Sequence, residues 1–307
     1  MIRLFTFDRL SLLREDHAST ALMRSAVDSL STVTTTFDCH LLQRTSVDRP
    51  LDVLGTATQQ TNLQAAAADR GIQVIVAAPA ESAALDFPDW MNLTVRTDVD
   101  CPQVSSLMSP FRVDAQQPAV EWIHLVVSTR ENEQEWIAAC LDAARTAVST
   151  CPGDTLMVTA VGGETADCGR FESLLWEGDI RVPLWIRDGQ DTCRRVCDPT
   201  GSFDVLQTML SNLQASADEP SAVPWFDLNS EGCDSGELPP REIHLVIGDS
   251  SALRTEDFLF VRRQSAESGE KTALYGKPYD VWNVHDLSHE YPDVADELLA
   301  RLPNGFD

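Results

Sequence analysis

The chain has 307 residues, 43% of them hydrophobic, enough to bury a substantial core as one large domain with an appendage or as two unequal domains. Its 48 acidic and 23 basic residues leave a net charge of −25, which argues against nucleic acid and anionic membrane surfaces as partners, because a field of that sign repels phosphate. The apolar run at residues 1–8 is too short for a signal peptide and no segment has the length of a membrane span, so a cytoplasmic protein without membrane association is the expectation.

Residues 2–8 read as a buried strand ending in Asp8, which suits a parallel α/β core. Leu22, Met23, Ala26, Val27 and Leu30 recur at helical spacing. Residues 34–42 read as one strand in which Asp38, Cys39 and His40 alternate faces, so at most Asp38 and His40 converge and a satisfied sheet histidine is expected. Ser46 and Asp48 serve as N-cap candidates for a short helix with Pro50 in its first turn. An alanine-rich helix over 62–70 stops at Gly71 and gives way to a strand over 72–77.

Residues 79–120 are loop-like with a short strand at 93–95, and 120–127 form a strong strand with His124 in its middle as a core residue. A long helix over 131–150 returns to a strand over 155–159, which turns through Gly162 and Gly163 into a polar loop before a strand at 182–186. Residues 215–241 are acidic and rich in Pro, Gly and Ser, and divide an α/β core at 1–214 from a C-terminal unit at 242–307. That unit reads as strands over 243–247, 253–261 and 274–282 and a final helix over 294–302. The eight cysteines include no CxxC pair and are expected as free thiols, with Cys193 and Cys197 too isolated for a zinc site.

Several of these segments resemble the sulfatase branch of the alkaline phosphatase superfamily. Trp176-Glu177-Gly178-Asp179-Ile180-Arg181-Val182-Pro183 resembles the family's Tyr-Glu-x-x-Ile-Arg-Val-Pro. Thr159-Ala160-Val161-Gly162-Gly163-Glu164 lies where its Thr-Ser-Asp-His-Gly-Glu is expected, and residues 45–55 resemble the nucleophile segment through Arg49 and Gly55. Asp204 begins a helix like the family's Asp-Leu-Leu-Pro-Thr-Leu-Leu. Ala252-Leu253-Arg254-Thr255 and Trp282-Asn283-Val284-His285-Asp286-Leu287 are similar to its C-terminal strand and tail. The resemblance implies an α/β, alkaline phosphatase/sulfatase-like fold: a central, mostly parallel sheet flanked by helices, with a small C-terminal antiparallel α+β subdomain.

It also implies calcium-dependent sulfuric ester hydrolysis, and there the residues depart. Asp8 stands at a ligand position, but Arg9 replaces the second Asp of the pair. Val161 and Gly162 replace the metal-binding Asp and the adjacent His, Glu172 replaces a sulfate-contacting Lys, and Thr45 occupies the nucleophile position, where it cannot become formylglycine. Calcium takes six to eight oxygen ligands, so several replacements at once argue against its retention. The leading expectation is a sulfatase-like protein without catalysis or cofactor, Asp8 being a remnant ligand position without metal. It would bind a protein partner or a small anionic ligand, the anion held by Arg49 and a helix N-terminus. The alternatives are an active sulfuric or phosphoric ester hydrolase using Thr45, with metal ligands from Asp8, Asp38, His40, Glu164 and Asp167, and a purely structural homo-oligomer. Lys277, His285 and His289 read as residues beside the cleft or on the surface of the C-terminal unit.

Overall fold

The computed structural model describes residues 1–10, 21–37, 39–44, 49–78, 85–97, 118–127, 133–150, 155–163, 175, 177–187, 195–215, 241–265, 269–280 and 283–302. In chain order the elements are β1 (Ile2–Phe7), α1 (Ala21–Ser31), β2 (Thr35–Phe37), β3 (His40–Leu41), α2 (Pro50–Leu54), α3 (Ala57–Ala66), β4 (Ile72–Ala77), β5 (Asn92–Arg96), β6 (Val120–Leu125), α4 (Glu133–Thr150) and β7 (Thr155–Ala160). There follow α5 (Glu177–Ile180), β8 (Leu184–Arg187), β9 (Arg195–Val196), β10 (Thr200–Gly201), α6 (Phe203–Ala215), β11 (Ile243–Ile247), β12 (Ser250–Arg254), β13 (Phe258–Ser265), β14 (Gly269–Gly276) and α7 (Pro292–Arg301). Among the described residues no helix is long and apolar enough to cross a membrane.

Strands β1, β4, β6 and β7 are near-continuous apolar runs, the pattern of strands buried on both faces, and they form the centre of an eight-stranded sheet ordered β5-β4-β6-β1-β7-β8-β2-β9. The first five run parallel, β8 is antiparallel to both β7 and β2, and β9 is parallel to β2. Helices α1 and α4 pack together, while α2 and α3 pack on α6. The α1 group lies over the face that carries Phe5: Trp185, in register with Val158 and through it with Phe5, donates its indole N–H to Ser31 Oγ of α1 at 3.1 Å. Two buried charges of the sheet neutralise each other, since Arg3 and Glu121 are register partners on β1 and β6 and form a buried ion pair at 2.6 Å.

The second sheet, β11-β12-β13-β14, is antiparallel throughout and has two apolar faces. Leu253, Phe260 and Leu274 meet Leu298 and Leu302 at α7, whereas Ile243, Leu245, Ala252, Leu259, Val261, Ala273 and Tyr275 join the main core. A strand buried on both sides alternates between two cores, so this sheet is sandwiched between the α/β body and its own helix.

Several expected boundaries move. The strand expected over 34–42 is divided into β2, in the large sheet, and β3, which pairs with β10 instead. The single strand expected over 253–261 is two strands joined by a turn in which Thr255 Oγ1 accepts from the Phe258 N–H at 3.1 Å, a hydroxyl-closed turn without the Gly or Pro that would signal it. The last strand falls at 269–276 rather than 274–282, beginning at Gly269, whose φ of +75° favours glycine. The helix expected over 62–70 starts earlier, at Ala57, because Thr56 and Gln59 form a reciprocal capping box. The short helix is entered at Arg49 with Pro50 behind it and no side-chain cap, and Ser46 and Asp48 lie outside the described residues.

Candidate functional site

The carboxyl ends of parallel strands are where α/β sheets gather their chemistry, and here the segments that follow β1 and β7 lie directly against each other. Asp8, just past β1, is 1% exposed, and its Oδ1 accepts from the Val127 N–H at 2.8 Å while its own N–H donates to Leu125 O at 3.0 Å. The segment after β7 lies directly on it: Val161 N–H donates to Phe7 O at 2.9 Å and Leu10 N–H donates to Gly162 O at 3.0 Å. A Cβ on Gly162 would stand 2.5 Å from the Asp8 carbonyl oxygen and 3.3 Å from Arg9 Cγ. The position at which the resembled family carries a ligand histidine therefore has no room for any side chain, and Val161 beside it is wholly buried and apolar.

Below this edge a polar row crosses the sheet. Thr6 is in register with His124 on β6 and with Thr159 on β7, so the three side chains share one face. Thr6 Oγ1 takes the Trp122 indole N–H at 2.6 Å and lies 2.8 Å from His124 Nδ1. Burial lowers the His124 pKa to about 4, with the nearby Asp8 carboxylate acting in the opposite sense. His124 Nε2 and Thr159 Oγ1 are buried without a hydrogen-bond partner among the described residues. Phe87 packs edge-on against the Trp122 ring at 5.1 Å and the His124 ring at 6.2 Å between centroids.

Arg49 lies on the rim. Its Nη1 is 3.1 Å from Asp52 Oδ2 and its Nε 3.0 Å from Asp86 Oδ2, and it is 59% exposed. The expected anion contact is thus held by two carboxylates, and the helix behind it, α2, spans only five residues. Thr45, Asp38, Glu164, Asp167 and Glu172 lie outside the described residues. Of the alternative ligand set, Asp8 and His40 are placed, with different partners. His40 Nδ1 is 3.1 Å from Thr200 Oγ1, and burial followed by the charge of Arg241 lowers its pKa to about 3. Arg241 Nη2 in turn donates to Asp204 Oδ2 at 2.6 Å, and Asp204 Oδ2 also accepts from the Gly201 N–H at 2.8 Å.

A third cluster escaped the sequence reading. Lys277 is buried rather than on the surface, with Nζ donating to Glu177 Oε2, to Asn283 Oδ1 and, at 2.6 Å, to Asp280 O. Its pKa is lowered by burial and supported against that by Glu177. Asn283, at a φ of 53° that asparagine tolerates, donates through Nδ2 to Leu175 O, and the Asp280 carboxylate accepts from the N–H groups of Val284 and His285 at 3.0 Å each. Arg254 donates to Glu256 O at 2.9 Å and to Cys39 Sγ at 3.7 Å, and burial raises the Cys39 thiol pKa. The motif glutamate thus ties α5 to the turn after β14. His285 and His289 are exposed, as a surface reading expects.

Asp8 is engaged by a backbone N–H, and the neighbouring positions carry a guanidinium, an isopropyl group and a hydrogen atom. Among the described residues no three His, Cys, Asp or Glu side chains are grouped as ligands for one metal ion.

No protein-family model matches this sequence, and no curated protein sequence does. Solved structures do match in shape. A protein, BT4656, determined in complex with its substrate D-glucosamine-2-N,6-O-disulfate, aligns over 97% of this chain and 96% of its own, with TM-score 0.69 and 10% identity. A member of the alkaline phosphatase superfamily from Vibrio parahaemolyticus aligns over 96% and 83%, with TM-score 0.60 and 10% identity. A phosphonate monoester hydrolase from Silicibacter pomeroyi aligns over 97% and 93%, with TM-score 0.60 and 12% identity. At such identities the likeness establishes the fold: this chain has the sulfatase and alkaline phosphatase architecture, as its motifs implied.

Proposed function

We propose that this protein is a sulfatase-fold binding or regulatory protein that does not carry out calcium-dependent ester hydrolysis, and that Arg49 is its contact for a small anionic ligand. The observation that supports this most is the packing of Gly162 on the Asp8 backbone, with a Cβ distance of only 2.5 Å. Restoring a ligand side chain there would require the strand ends to separate. Arg49 supports the second half: a guanidinium 59% exposed and shared between two carboxylates presents a planar fork for which a tetrahedral anion can compete.

A second reading, an ester hydrolase using Thr45 as nucleophile, draws its support from the phosphonate monoester hydrolase among the similar structures. Calorimetric titration of sulfate and phosphate into the wild type and Arg49→Gln, beside aryl sulfate and aryl phosphate turnover with added calcium, magnesium, manganese or zinc, separates the two. Saturable anion binding that Arg49→Gln removes, without turnover under any metal, is the result expected of a binding protein. Metal-dependent turnover abolished in Thr45→Ala would replace that reading with the hydrolase.

A further inference from the structure

The hydrogen-bond roles in the polar row follow from simple bookkeeping. An indole nitrogen only donates, so Thr6 Oγ1 accepts from Trp122, and the hydroxyl proton of Thr6 is placed to serve His124 Nδ1. A hydroxyl oxygen has a second lone pair, so the 2.8 Å contact alone fits either tautomer; with the Thr6 proton given to Nδ1, the neutral imidazole carries its own proton on Nε2, the atom without a partner among the described residues. In that tautomer His124 is a buried N–H donor, with the unpartnered Thr159 hydroxyl in the same row.

Packed edge-on against this imidazole is Phe87, and the residue before Phe87 in the chain is Asp86, the exposed partner of Arg49. Arg49 is anchored from behind through Asp52, whose Oδ1 accepts from Gln60 Nε2 of α3 at 3.1 Å. We propose that the Arg49–Asp86 ion pair is a clasp that holds Phe87 over His124, and that an anion taking Arg49 releases Asp86 and uncovers the His124 N–H for an oxygen acceptor. The clasp is suited to opening, because both partners are largely exposed, at 59% and 64%, and exposed pairs are weak and screened by salt. The anion arm rests on the reading of Arg49 given above, whereas the clasp itself does not.

The test is solvent exchange of the His124 imidazole proton in protein labelled with nitrogen-15 at its six histidines, assigned with His124→Gln. The wild type should show His124 protonated at Nε2 and exchanging slowly. Asp86→Asn should speed that exchange roughly three- to fivefold, the scale of one exposed ion pair, and Phe87→Ala should speed it further. Sodium sulfate should act on the wild type as Asp86→Asn does, beyond the effect of sodium chloride at equal ionic strength. A proton found on Nδ1, or exchange unchanged by Asp86→Asn while Phe87→Ala accelerates it, would overturn the clasp. Accelerated exchange in Asp86→Asn without any sulfate-specific effect would overturn the anion trigger and, with no sulfate binding by calorimetry, the Arg49 reading too, leaving the clasp standing.

Discussion

Glu177 and Lys277 are opposite charges brought together across the junction of the two sheets, whereas at the carboxyl edge Asp8 takes the Val127 N–H and His124 lies beside a threonine hydroxyl. The first cluster satisfies its ammonium with three acceptors; the second leaves His124 Nε2 and Thr159 Oγ1 without partners among the described residues. In a low-dielectric interior a fully partnered pair rigidifies its surroundings, while an incompletely partnered group costs stability where it stands. The Lys277 ammonium is fully partnered, and the His124 row is not.

The sharpest way to break this contrast is Lys277→Met. It leaves Glu177, 3% exposed in its side chain, buried with only Arg181 Nη1 at 3.8 Å as a remaining cationic partner, and the expected loss is about 3 kcal/mol in urea unfolding, the low end for a broken buried pair. Adding Glu177→Gln should recover much of it. A double variant as unstable as the single one would mean that the pair is not the source of the cost.

Acid should act next. His40 and His124 are held neutral, with pKa values lowered from 6.5 to about 3 and about 4, so the unfolded chain binds more protons than the native one once the pH falls below 6.5. Their contribution is present in full above that value and is lost as the pH falls toward the folded values, by on the order of 3 kcal/mol each at about pH 4. Urea midpoints measured from neutral to acidic pH should decline less steeply in His40→Gln than in the wild type. Parallel declines would show that His40 is not held neutral by its surroundings.

Gly162→Ala tests whether the edge is as tightly closed as its backbone contact implies, with an expected cost of about 1–3 kcal/mol, since the nearest atom is a carbonyl oxygen rather than a flexible side-chain tip. A thermal midpoint unchanged by this substitution would show that the strand ends part readily, and would remove the main support for a degenerate metal site. The smallest effect is expected from Arg49→Gln, whose exposed pairs contribute about 0–1 kcal/mol. Wild-type stability with altered anion affinity would set Arg49 apart from Lys277 as a binding residue.

The parallel core was legible because its strands announce themselves. The segments around Phe5, Val74, Trp122 and Met157 are apolar on both faces, and apolar runs of strand length next to amphipathic helices leave few other arrangements. Two-residue strands such as β9 and β10 carry no periodicity, and the β12–β13 turn uses a threonine hydroxyl where glycine would have marked it. The candidate site was legible only as a set of replacements. That Gly162 leaves no space, that Asp8 turns to the Val127 N–H and that Arg49 is shared by Asp52 and Asp86 are facts of packing between segments distant in the chain.

What the sequence determined by itself is the fold, because strand patterning is local and the motifs that resemble the family lie along the chain in order. The tertiary structure alone decided which polar groups are buried, which are paired and which stand open. Lys277 reads as a surface lysine until Glu177, a hundred residues earlier, is brought to it, and His124 reads as a plain core residue until Thr6 and Phe87 are brought against it. Pairing across the chain depends on how the sheets meet, and residue types alone do not encode those meetings in any form a linear reading can recover.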